Sequence, residues 1–126
     1  MKSAHDLVMA ARAGIREVSL EEAEAAIRDA HLLIDVREAE EYAAGHIPGA
    51  VNLSRGTLEF RMSGNPDFAP RDLRIVLYCK TSGRAALSAS ALKEMGYQSV
   101  QSIAGGFDAW AAAGKPVARP PVTAFE

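Results

Sequence analysis

The run Cys79-Lys80-Thr81-Ser82-Gly83-Arg84 gathers a nucleophile, two cations and two hydroxyls into six consecutive residues. It follows the apolar stretch 75–78 and precedes the small and apolar residues of 85–95. The pattern predicts a loop that leaves the carboxyl end of a buried strand and opens a helix. Main-chain N–H groups of such a loop point inward unpaired and form an anion cradle. A thiol at its base is stabilised as thiolate by those donors, by the helix dipole and by Lys80 and Arg84. Gly83 lets the backbone curl, and Thr81 and Ser82 add donors of little bulk. No histidine is needed beside the sulfur. The competing reading is that Cys79 closes a core strand as an inert side chain, as many free cysteines do. The polar, doubly cationic sequel favours a reagent.

The elements that must hold this loop can be read from periodicity. Ser3-x-x-Asp6 and Gly14 bracket a short helix over 4–13, expected as an appendage to the core. Residues 15–18 alternate as a half-buried strand does. Ser19-x-x-Glu22 is a capping box opening a helix with an apolar stripe at Ala23, Ala26, Ile27 and Ala30. Residues 32–36 form a strand ending in charge, 38–44 a short helix closed by Gly45, 46–50 a turn and 51–53 a short strand. Gly56, Gly64, Pro66 and Pro70 predict mostly surface loop over 54–72, around one helical turn near 58–61. A strand at 75–78, a helix at 85–95 ended by Gly96, a strand at 99–103 and a helix at 107–112 complete the pattern. Phe107 and Trp110 read as packing of that last helix on the sheet, and Gly105-Gly106 as a tight turn. The glycine doublet is too short for a dinucleotide fingerprint, which excludes NAD. Strands alternating with helices predict an α/β fold with a mainly parallel sheet, and ligands bind such sheets at the carboxyl ends of the strands.

Composition bounds the rest. A chain of 126 residues, 48% hydrophobic and 24% charged, makes one domain with an ordinary core. The expected organisation is a helical appendage over 1–14, the domain over 15–117 and an extended tail over 118–126. A formal net charge of -2 gives no electrostatic case for nucleic acid or an anionic membrane. One cysteine forms no intramolecular disulfide and builds no multi-thiolate zinc site, and His5 and His31 stand at no metal-ligand spacing, so no metal or cofactor is expected. Asp6 and Arg12 interrupt any apolar leader, and the run 75–78 is far short of the ~20 residues of a membrane helix. A cytoplasmic protein is the expectation.

Three ordered motifs now carry a resemblance: Asp35-Val36-Arg37 with Gly45-His46-Ile47-Pro48-Gly49-Ala50 and Asn52; Tyr78-Cys79-Lys80-Thr81-Ser82-Gly83-Arg84; and Gly105-Gly106-Phe107-Asp108-Ala109-Trp110. Over residues 15–117 the sequence resembles the single-domain rhodanese (thiosulfate sulfurtransferase) family. The resemblance implies a rhodanese-like three-layer fold, a five-stranded mainly parallel sheet with helices on both faces. It implies Cys79 as the catalytic nucleophile, with Lys80, Thr81, Ser82, Gly83 and Arg84 binding substrate. Cys79 would take sulfane sulfur from thiosulfate or a similar small anion, store it as a persulfide and pass it to cyanide, a thiol or a protein thiol. A monomer or a homodimer would suffice.

The loop length bears on rival chemistry. Related phosphatases use C-x5-R, one residue longer than the C-x4-R here, and the shorter ring suits sulfur over phosphate. Lys80 resembles thiosulfate users, whereas mercaptopyruvate users often carry glycine there. Ser82 and Ala85 stand where many relatives have glycine and serine, and Ser82 fits only at negative φ. As auxiliary residues the resemblance points to Asp35 and Arg37, as an ion pair bracing the loop or with Arg37 on substrate. His46 is expected to bond loop backbone or Asp35 rather than act as a base. Arg55 and Arg61 border the mouth, either drawing in an anion or lying on a solvated face. The rivals are a relay module serving a protein acceptor, an idle binding domain, and a redox sensor oxidised at Cys79.

Overall fold

The computed structural model describes residues 1–120. Of the tail expected over 118–126, residues 121–126 lie outside the described residues. The elements are α1 (Ala4–Ala13), β1 (Arg16–Val18), α2 (Leu20–Asp29), β2 (Leu32–Asp35), α3 (Ala39–Ala44), β3 (Val51–Asn52), α4 (Leu58–Gly64), β4 (Arg74–Tyr78), α5 (Gly83–Glu94), β5 (Ser99–Ile103) and α6 (Gly106–Ala112). All strand pairs are parallel, in the order β1-β5-β4-β2-β3. This is the α/β architecture that the alternation of periodicities predicts.

Strand alternation sorts the core into two layers. Ile75, Leu77 and Cys79 face one side of β4, with Leu58 and Met62 of α4 and Ala85, Ala89 and Leu92 of α5. Val76 and Tyr78 face the other, with Ala23 of α2 and Trp110 of α6. Cys79 therefore continues a side-chain row buried under α5. The helices start where sequence caps them: Ser3 and Ser19 each accept the third helical amide, and Asp6 and Glu22 reach back to the cap amides.

One departure from the periodicity reading has a physical cause. The segment 54–72 is more ordered than its glycines and prolines suggest. A 3-10 turn at Arg55–Thr57, α4, and a second 3-10 turn at Pro66–Phe68 fill it. Leu58 and Met62 sit one helical turn apart and are both fully buried, which anchors α4. Gly56 sits inside the first 3-10 turn and Gly64 is the last residue of α4, so neither interrupts the α-helix. Helix α1 lies along α5: Ala11 is buried, Lys93 donates to the carbonyl of Gly14, and Val8 reaches Gly83.

Candidate active site

The loop after β4 is shaped from behind by α6. The amide of Phe107 donates to the carbonyl of Cys79 at 2.8 Å, and that of Asp108 to the carbonyl of Lys80 at 3.0 Å. A side chain on Gly106 would place its Cβ 2.5 Å from the Cys79 oxygen and 2.3 Å from the Thr81 oxygen. Three successive carbonyls thus face α6. In a trans peptide the N–H points opposite to the C=O, so the amides of Lys80, Thr81 and Ser82 point away from α6. Ser82 accepts from Ala86 and starts α5, leaving Gly83, Arg84 and Ala85 as the helix's first amides. The Ala85 amide donates to Cys79 Sγ at 3.3 Å. Among the described residues no main-chain or side-chain acceptor pairs with the amides from Lys80 to Arg84. Ser82 has φ -151°, the negative φ that a residue with a side chain requires there.

Cys79 is 1% exposed and lies at the bottom of this turn against the apolar layer. The sulfur is packed on one side and meets an amide donor on the other. An anionic sulfur there would be stabilised by fixed dipoles that need no reorganisation.

Both loop cations are held by carboxylates. Arg84 makes a two-pronged pair with Glu41, Nη1 to Oε1 at 2.7 Å and Nη2 to Oε2 at 3.0 Å. That hydrogen bonding holds the Glu41 carboxyl down to about 2 against the opposing effect of burial, with help from the Glu38 amide. It likewise raises Arg84, to which the charge of Cys79 adds. Lys80 Nζ donates to Asp108 Oδ2 at 2.7 Å.

The auxiliary residues separate into a brace and a rim. Asp35 is fully buried and receives Arg37 Nε at 3.0 and 3.1 Å and Nη2 at 2.8 Å. Arg37 also donates to the carbonyl of Gly45 at 2.7 Å and stacks on Phe107, with its guanidinium carbon 4.3 Å from the ring centroid. Asn52 donates to the carbonyls of Asp35 and Arg37, tying β3 to the same corner. Burial pushes the Tyr78 phenol up, the Asp35 charge adding to it, and the hydroxyl accepts the Ile47 amide. His46 is buried and stacked on Tyr42, with Nδ1 3.0 Å from the Tyr42 carbonyl. A carbonyl only accepts, so Nδ1 carries the proton. Its partner is thus helix α3 backbone rather than Asp35. Arg55 pairs with Glu59 at 2.9 Å, and Arg61 is exposed on α4.

A family model for the rhodanese-like domain matches residues 19–113. The chain belongs to the rhodanese-like domain family.

Its relatives include a sulfurtransferase of Allochromatium vinosum, 36% identical over 89 residues that make up 71% of this chain and 79% of the relative. Another is thiosulfate sulfurtransferase 16, chloroplastic, of Arabidopsis thaliana, 35% identical over 96 residues, 68% of this chain and 78% of that one. A solved structure from Rhodopseudomonas palustris, described as a protein of unknown function and possible tyrosine phosphatase, matches with a TM-score of 0.86 at 30% identity. It covers 94% of this chain and 96% of that one.

In this rhodanese domain, sequence reading placed the six loop residues together but missed Glu41 and Asp108, which hold the two cations. Asp108 stands in the third motif, but no local spacing gives either pairing, since Glu41 stands 43 positions from Arg84 and Asp108 stands 28 from Lys80. A cleft of about 470 Å³ between α2 and the amino ends of β1, β4 and β5 lies at the opposite end of the sheet from the loop. Among the described residues, no cluster of His, Cys, Asp and Glu is placed to hold a metal, and no helix is long and apolar enough to cross a membrane.

Proposed function

We propose that this rhodanese domain is a sulfurtransferase that carries sulfane sulfur on Cys79. The observation that carries the reading is the Ala85 amide on Sγ within a turn whose remaining amides face away from α6. The Cys79 thiolate attacks the outer sulfur of thiosulfate or a similar donor. With thiosulfate, the Sγ–S bond forms as the S–S bond of the donor breaks, and sulfite leaves with the electron pair. The persulfide anion Cys79–S–S⁻ is held by the same amides that held the thiolate. An acceptor thiolate or cyanide then attacks the outer sulfur and regenerates the Cys79 thiolate. Acceptors include protein thiols, and the cytoplasm supplies thiols in abundance. The loop residues Lys80 to Arg84 form the binding ring, with Asp35, Arg37 and His46 shaping the corner beside it.

Intact-mass spectrometry after thiosulfate treatment tests the proposal. The expected product is the chain plus one sulfur atom, lost again on adding cyanide or a dithiol. Absence of that adduct with every sulfane donor tried would overturn it. Hydrolysis of an aryl phosphate in its place would favour a phosphatase. Against that outcome stand the six-residue loop and an Arg84 guanidinium committed to Glu41 rather than turned into the ring.

A further inference from the structure

The mouth of the loop carries balanced charge. Lys80 is gripped twice by Asp108, whose amide donates to its carbonyl and whose carboxylate takes its Nζ. Gly106 seats α6 against the loop, so Asp108 is delivered to Lys80 by the backbone rather than by a wandering side chain. Arg84 is matched by Glu41 and Arg37 by Asp35. Three cations therefore face three carboxylates. Thiosulfate is a dianion, and electrostatic capture of a dianion requires a field that paired charges do not produce. Amide dipoles remain, but their reach is short and they suit a single developing charge at sulfur.

The surroundings offer apolar surface instead. A cleft of about 260 Å³ runs from Lys80 and Asp108 to Glu41, and its remaining wall is Ala44, Gly45, Phe107 and Arg37, whose charge is met by Asp35. On another side, Val8 of α1 approaches Gly83 closely enough that a Cβ there would lie 3.6 Å from it.

We infer that Asp108 and Glu41 set the donor specificity of the loop toward an organic persulfide, R–S–SH, over thiosulfate, with R lying in the cleft beside Phe107. This rests on the sulfurtransferase reading above and narrows its donor. The Cys79 thiolate attacks the terminal sulfur; the Sγ–S bond forms, the S–S bond of the donor breaks, and R–S⁻ leaves with the electron pair. The proton stays on the transferred sulfur and is lost to water when the product ionises to Cys79–S–S⁻. Asp108 acts on Lys80 and touches no reacting atom, so it is a positioning residue.

The test measures the rate of sulfur loading on Cys79 by mass spectrometry, using thiosulfate and the persulfide of mercaptoethanol, at low and high ionic strength. In direct competition the wild-type chain is expected to load from the persulfide, and its thiosulfate rate to vary little with salt. Asp108→Asn is expected to raise loading from thiosulfate about 3- to 10-fold at low salt, a gain that salt erases, while the persulfide rate moves less than about twofold. Asp108→Glu is expected to restore the wild-type ratio. A wild-type thiosulfate rate that falls steeply with salt, or a donor ratio unmoved by Asp108→Asn in a folded variant, overturns the inference. Loading from both donors with thiosulfate ahead overturns it alone; loading from neither removes the sulfurtransferase reading as well.

Discussion

Glu41 and Arg84 meet through two parallel hydrogen bonds of 2.7 and 3.0 Å, joining the first turn of α3 to the first turn of α5. The pair fixes Arg84, the last residue of the loop, to α3. Its strength follows from geometry, since a planar guanidinium and a carboxylate share two bonds. Each side chain is about one-third exposed, so solvent screening trims the gain.

This pair gives the fold an acid limb. Glu41 is held at about 2, below its ordinary 4.5, so its contribution is fully present above pH 4.5 and is lost as pH falls through about 2. Glu41→Gln should lower stability at pH 7 by about 1 kcal/mol. The gap between variant and wild type should shrink between pH 4.5 and 2. Urea midpoints across that range check both the size and the sign.

Cys79→Ser should abolish thiocyanate formation from thiosulfate and cyanide. The hydroxyl keeps the Ala85 amide satisfied but buries a polar atom beside Leu77 and Ala89, at a cost of about 1–2 kcal/mol. Circular dichroism should show an intact fold, and retained turnover would exclude the covalent route.

Gly106→Ala should be among the most damaging single-methyl changes in the chain. The new Cβ meets backbone oxygens at 2.3 and 2.5 Å, and φ is +58°. A loss of about 3 kcal/mol or more is expected, with sulfur loading impaired in whatever folds. Gly49→Ala serves as the control. Its φ is +87° but nothing lies within 4 Å, so only the backbone cost of about 1 kcal/mol applies. Equal losses at the two sites would remove the close approach of α6 from the explanation.

Asp35→Asn leaves the Arg37 guanidinium, 4% exposed, without its counter-charge. Removing one partner of a buried pair costs about 3–5 kcal/mol. Thermal unfolding should register the loss, and a shift of under about 1 kcal/mol would mean that Gly45 and Phe107 suffice to hold the cation.

The loop was legible because its six residues are contiguous and because one strand and one helix flank it directly. The layers were legible for a related reason: Ile75, Val76, Leu77 and Tyr78 are all apolar, as a strand buried on both faces must be. What sequence could not supply were pairings fixed by the placement of separate helices. Glu41 and Asp108 look like ordinary first-turn acids of α3 and α6, and only the packed sheet brings them to Arg84 and Lys80. The segment 54–72 misled for the opposite reason. Its breakers are conspicuous, while the two buried residues that order it, Leu58 and Met62, are sparse in the string.

The missing side chain at Gly106 has a consequence for how this site can vary. Because α6 serves as a mould pressed against the back of the turn, the curvature of the turn is imposed by its neighbour and is not encoded in residues 80–82. Those three positions can exchange size and polarity while the diameter of the ring stays fixed, so taste for one cargo or another can drift without rebuilding the scaffold.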